Sequence, residues 1–147
     1  MSLPAGVPAG ARRIAVALEL GPADLMVIEH VKRLSLPADA ELVLMHVAES
    51  AASRFLGPES LDQESREDLA TLEALADELR AGRRRVSVGL GHGDVQDELA
   101  RMVNEADVEL LITGSHGHRW LGDLFFGATT SGLRHRMRCP VLTIRSR

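Results

Sequence analysis

VELLITGSHGHRWLGDLFFGATT, residues 108–130, is the stretch on which the reading of this chain turns. It opens on a short apolar run at 108–113 with no helical stripe, as expected of a strand covered on both faces. Gly114 and Gly117 follow with two residues between them, so the backbone can turn sharply and approach a ligand with no Cβ in the way. After nine further residues Gly127 opens an expected helix over 127–138, with Ala128, Thr129 and Thr130 in its first turn. Amides at a helix start lack intrahelical partners and sit at the positive end of the helix dipole, which suits a phosphate. Thr129 and Thr130 add hydroxyl donors.

Outward from that loop the same alternation repeats. Downstream, Pro140 stops the helix and 141–144 reads as a last strand. Upstream, 13–20 (RIAVALEL) is a first strand, and Gly21-Pro22 ends it and opens a helix, Pro being well tolerated at the first helical position. Leu25, Ile28, Val31 and Leu34 give that helix an apolar face, and Pro37 closes it. A second strand is expected at 41–47, then a polar loop over 48–67 running into a helix marked by Leu69, Leu72, Leu75, Ala76 and Leu79 and ending near Gly82. A third strand at 86–90 leads to Gly91-His92-Gly93, and Asp94 is placed to cap a helix carrying Val95, Leu99, Met102, Val103 and Ala106. Strands alternating with helices predict an α/β domain, a single doubly wound, Rossmann-like five-stranded parallel sheet with helices on both faces. Ligands of such sheets lie at the carboxyl ends of the strands. Residues 1–11 (MSLPAGVPAGA) read as a flexible lead-in and 12–147 as the one domain.

Composition narrows the function classes. A chain of 147 residues with 45% hydrophobic and 26% charged residues can bury a core, and its 3% aromatic content makes that core aliphatic. So few aromatics supply no stacking platform for single-stranded nucleic acid, and a net charge of -4 argues against nucleic acid or anionic membrane as partners. Arg134, His135, Arg136, Arg138, Arg145 and Arg147 gather at the end of the chain, which suits a small anionic ligand better than a polymer. The one cysteine, Cys139, cannot form an internal disulfide, so a reducing cytoplasm is the expected setting. No apolar run approaches the roughly 20 residues a bilayer requires, so membrane insertion is not expected.

The order Gly-x2-Gly-x9-Gly followed by hydroxyl residues resembles the nucleotide motif of the ATP-binding members of the universal stress protein (UspA-like) family. The resemblance runs from about 13 to 145. Residues 42–47 (LVLMHV) look like the family's second strand with its terminal His-Val pair, and Cys139-Pro140 with 141–144 looks like its last strand. Two positions depart: Gly127 is followed by Ala128 where the family has Ser or Thr, and Glu19 stands where an Asp usually faces the base. Ala128 removes one side-chain oxygen while its backbone amide remains. The resemblance implies an adenine nucleotide alpha hydrolase-like fold that binds ATP, with ADP, AMP and an accompanying magnesium ion left open. Carried over by position, Ala17, Glu19 and Val47 line the base pocket; Thr113, Gly114, His116 and Gly117 border the ribose and phosphates; Gly127, Ala128, Thr129 and Thr130 hold the outer phosphates. It further implies a stress-linked regulatory protein, commonly a homodimer paired through the last strand.

Other features read more plainly. His46 is expected to be a strand-end residue with a satisfied hydrogen bond, and His92 a low-grade candidate for ligand contact. His92, His116 and His118 match no zinc spacing. The acidic run from Glu59 to Glu78 reads as a solvated face, and Trp120, Phe125 and Phe126 as anchors of the loop on the core. Lys32, the single lysine, lies in the first helix, so the chain has no P-loop Gly-Lys-Ser/Thr string; with no nucleophile–base pair either, an enzyme is not expected. Rival readings are a ligand-free dimeric interaction module, the cytoplasmic regulatory domain of a membrane transporter, and a slow ATPase.

Overall fold

The computed structural model describes residues 10–48, 58–114 and 138–145. Among them, five parallel strands form one sheet: β1 (Arg13–Ala17), β2 (Glu41–Ala48), β3 (Arg85–His92), β4 (Leu110–Gly114) and β5 (Val141–Ile144), in the spatial order β3-β2-β1-β4-β5. The described helices are α1 (Asp24–Arg33), α2 (Pro58–Ala81) and α3 (Val95–Glu105).

Both faces of the central strands are covered, which is why their sequences run apolar without alternation. Ile14, Val16, Leu42, Leu44, Leu110 and Ile112 turn one way, onto Val27, Ile28 and Val31 of α1 and Leu72, Ala76 and Leu79 of α2. Ala15, Ala17, Val43, Met45, Val47 and Leu111 turn the other way, onto Val95, Leu99 and Val103 of α3. From β1 the chain steps to β2 and β3 on one side, and α3 then carries it back across the opposite face to β4 on the far side of β1. The expected doubly wound sheet is therefore present. Its direction reverses between β1 and β4, so their carboxyl ends open where such folds place ligands.

Several local expectations need correction. β1 stops at Ala17 because the chain turns at Leu20, whose φ of 62° leaves the extended region. α1 begins at Asp24, two residues after Pro22; Ile28 and Val31 are buried as expected, but Leu25 is 59% exposed and Val27 joins the buried face in its place. The loop expected over 48–67 gives way to helix from Pro58, where polar residues with good helix propensity continue the amphipathic segment toward its amino end. Leu69 is exposed and does not join the α2 face. β3 runs on through Gly91 and His92, and β4 takes in Gly114. Asp94 caps α3 as expected, its carboxylate accepting the Asp97 amide at 3.0 Å, and β5 has the expected bounds. The helix expected at 127–138 lies outside the described residues apart from Arg138.

At the amino ends of the strands, arginine and lysine tie the elements together. Arg84 donates to the carbonyl of Pro37 at 2.7 Å, Arg80 to the carbonyl of Val86 at 2.8 Å and to Glu73 at 2.7 Å. Lys32 joins α1 to α2 through Glu78 at 3.5 Å.

Candidate functional site

At the opposite end of the sheet lies a cleft of about 290 Å³, lined by Glu19, Leu20, His46, Val47, Ala48, Glu64, Asp68 and Val95. Two of the residues expected from the sequence, Glu19 and Val47, are in that lining. Ala17 and Thr113 sit side by side in adjoining strands on the face that carries α3, and Gly114 ends β4 next to them. His116, Gly117, Gly127, Ala128, Thr129 and Thr130 lie outside the described residues, as do His118, Trp120, Phe125 and Phe126.

Thr113 is fully buried, and its hydroxyl has no hydrogen-bond partner among the described residues. A buried hydroxyl left unpaired costs about 1–3 kcal/mol, so the position calls for a polar partner. His46 is satisfied as expected: its Nδ1 lies 2.8 Å from the carbonyl of Leu18. His92 lies 2.8 Å through Nε2 from the hydroxyl of Ser65 and is not part of the cleft lining.

The sequence reading missed three acidic groups here. Glu64 and Asp68 belong to the run expected to be a solvated face, yet α2 brings both to the cleft, with the Asp68 side chain only 23% exposed. The third, Asp24, folds back from the start of α1 to accept the amides of Glu19 at 3.2 Å and Leu20 at 2.8 Å, and so shapes the turn that presents Glu19. A carboxylate at the helix start, four or five residues after the turn at Glu19 and Leu20, was the available signal.

Asp24 is buried, and burial pushes its carboxyl above the usual range; the turn amides and His46 pull it part of the way back. The native state therefore binds this proton more tightly than the unfolded chain, and stability from Asp24 grows as pH falls through the native value and is lost as pH rises through it. Asp24→Asn, which leaves one turn amide facing an NH2 group, should cost about 1–2 kcal/mol near neutrality. The gap between parent and variant should widen from about pH 7 to pH 4, across the carboxylate range. Urea unfolding at both pH values measures it, and a gap that narrows toward acid would contradict the assignment.

Among the described residues, no group of three or more His, Cys, Asp or Glu side chains is placed to hold a metal ion, and no helix is long and apolar enough to cross a membrane. The family model for the universal stress proteins matches residues 10–145. The chain belongs to the universal stress protein family. Universal stress protein A homolog 2 of Coxiella burnetii is 28% identical over 141 residues, covering 91% of this chain and 94% of that protein. A universal stress protein family structure from Burkholderia pseudomallei has a TM-score of 0.69 at 22% identity, over 95% of this chain and all (100%) of the other. One from Arabidopsis thaliana, with AMP bound, has a TM-score of 0.63 at 18% identity, over 92% of each chain. These likenesses give this universal stress protein the fold described above.

Proposed function

We propose that this universal stress protein binds an adenine nucleotide at the carboxyl ends of β1, β2 and β4, and that binding itself is its activity. The observation that carries the reading is the buried hydroxyl of Thr113, unpaired among the described residues, beside Ala17 at the point where the sheet reverses direction. The lining of the cleft, of which Thr113 is not a part, suits the ligand. Val47 and Val95 offer an apolar shelf, while Glu19, Glu64 and Asp68 can accept hydrogen bonds from an exocyclic amine or ribose hydroxyls. The same carboxylates repel phosphate, which favours placing the phosphates toward Gly114 and the glycine motif that follows it. AMP in the Arabidopsis relative supports an adenine nucleotide, and the Gly114, Gly117, Gly127 spacing supports ATP, with magnesium carried on its phosphates.

In this reading the protein is a stress-linked regulator and not an enzyme, working in the cytoplasm as a homodimer joined through β5. Calorimetry with ATP, ADP and AMP in the presence of magnesium tests it. Saturable binding to the parent is expected, and Gly127→Leu should abolish it while leaving the circular dichroism spectrum unchanged. A parent protein that ignores all three nucleotides would overturn the reading.

A further inference from the structure

α2 is longer than the sheet it covers. Its 24 residues span about 36 Å, against about 26 Å for the eight residues of β2 or β3. None of residues 63–71 is buried, and Leu72 is the first buried residue after them. That stretch nevertheless forms a wall of the cleft through Glu64 and Asp68. Two histidines connect it to the sheet. His46 is paired in register with Leu90, and Ala48 with His92, so both rings stand on the sheet face that carries α2. Ser65 and Asp68, three residues apart, share a side of the helix. His92 meets Ser65 at 2.8 Å, and His46 Nε2 lies 3.9 Å from the Asp68 carboxylate.

The chemistry of the two contacts differs. A hydroxyl both donates and accepts, so the His92–Ser65 bond survives either charge state of the ring. His46 has no such freedom. A carbonyl only accepts, so the bond to Leu18 keeps the proton on Nδ1 and leaves Nε2 of the neutral ring bare before a carboxylate. The second proton can enter only at Nε2, and there it creates a charge-assisted donor aimed at Asp68. Among the described residues, the other ionisable groups that share the cleft or interact with this ring are carboxylates: Glu64 on α2, Glu19 in the turn after β1, and Asp24 on α1.

We propose that His46 is a positioning residue, which draws the first half of α2 onto the cleft when its Nε2 carries a proton, so that ligand is held more tightly in mildly acidic solution. The effect on ligand rests on the nucleotide reading above; the effect on α2 does not. Hydrogen exchange of the α2 amides at 63–71, corrected for the intrinsic pH dependence of exchange, reads the helix without ligand. Protection in the parent should rise about threefold to fivefold when the pH is lowered from about 8 to about 5.5. His46→Asn, which can keep the donor to Leu18 but has no second nitrogen, should show no such rise, nor should Asp68→Asn. His92→Gln should loosen the stretch equally at all pH values and keep the rise. AMP affinity, compared between parent and variants at each pH so that the ligand's own titration cancels, should follow the same pattern. Protection that does not change with pH, or a rise that survives in both His46→Asn and Asp68→Asn, would overturn the proposal. Protection that responds as stated in a protein that binds no nucleotide would uphold the latch and reject the nucleotide reading.

Discussion

Gly91→Val should destabilise the domain by about 3 kcal/mol, lowering the melting temperature by about 10 °C. A Cβ at Gly91 would lie 2.6 Å from Cγ of Glu98 and 2.7 Å from Sδ of Met102, far inside the contact distance of about 3.5–4.0 Å. Neither atom is the loose end of a free chain. Glu98 is held by Arg101 at 3.0 Å, and Met102, partly buried, packs against the core beneath α3. The helix must therefore move off β3, and the gain in strand propensity from valine is too small to compensate. Gly89 is the internal control. A Cβ there would meet only the terminal methyl of Met102 at 3.3 Å, so Gly89→Ala should cost less than about 1 kcal/mol. Thermal unfolding of the two variants side by side decides the matter, and equal losses would show that α3 does not depend on close approach at Gly91.

Thr113→Val should move two quantities in opposite directions. Valine fills nearly the same space and removes a buried hydroxyl that has no partner among the described residues, so the free protein should gain about 1 kcal/mol. If a bound nucleotide supplies the missing partner, the same change should weaken binding about tenfold, equivalent to about 1.4 kcal/mol. Few substitutions stabilise a fold while damaging its site, so the paired result is hard to obtain by accident. An affinity equal to the parent's would remove Thr113 from the site, whatever happened to stability.

The parts of this molecule that could be read from its sequence are those where one physical requirement dominates. Strands buried on both faces must be mostly apolar, and β2 is recognisable from that alone. Asp94 could be placed because a cap needs a short acceptor immediately before an amphipathic run. The first half of α2 could not, since residues such as Gln63, Glu64 and Glu67 suit a solvated helix and a loop equally well when no apolar stripe separates the two. The site divides in the same way. Ala17, Glu19, Val47 and Thr113 are named by the family resemblance, and they lie at or just past the ends of β1, β2 and β4. Glu64 and Asp68 reach the cleft only because α2 overshoots the sheet, which depends on where the helix starts. Asp24 was hidden by its neighbours: with Pro22 at the first helical position it falls inside the expected helix, while its carboxylate turns back to the chain before it.

The bonds made by Lys32, Arg80 and Arg84 tie the elements at one end of the sheet, and the cleft lies at the other. That separation divides the molecule into parts that selection can treat independently. Substitutions at the first end should leave affinity for a ligand in the cleft unchanged, while those among the cleft residues alter both what it holds and how firmly the turn around Asp24 is set. A lineage could therefore strengthen the domain from the far end without touching its response to a new ligand or a new acidity.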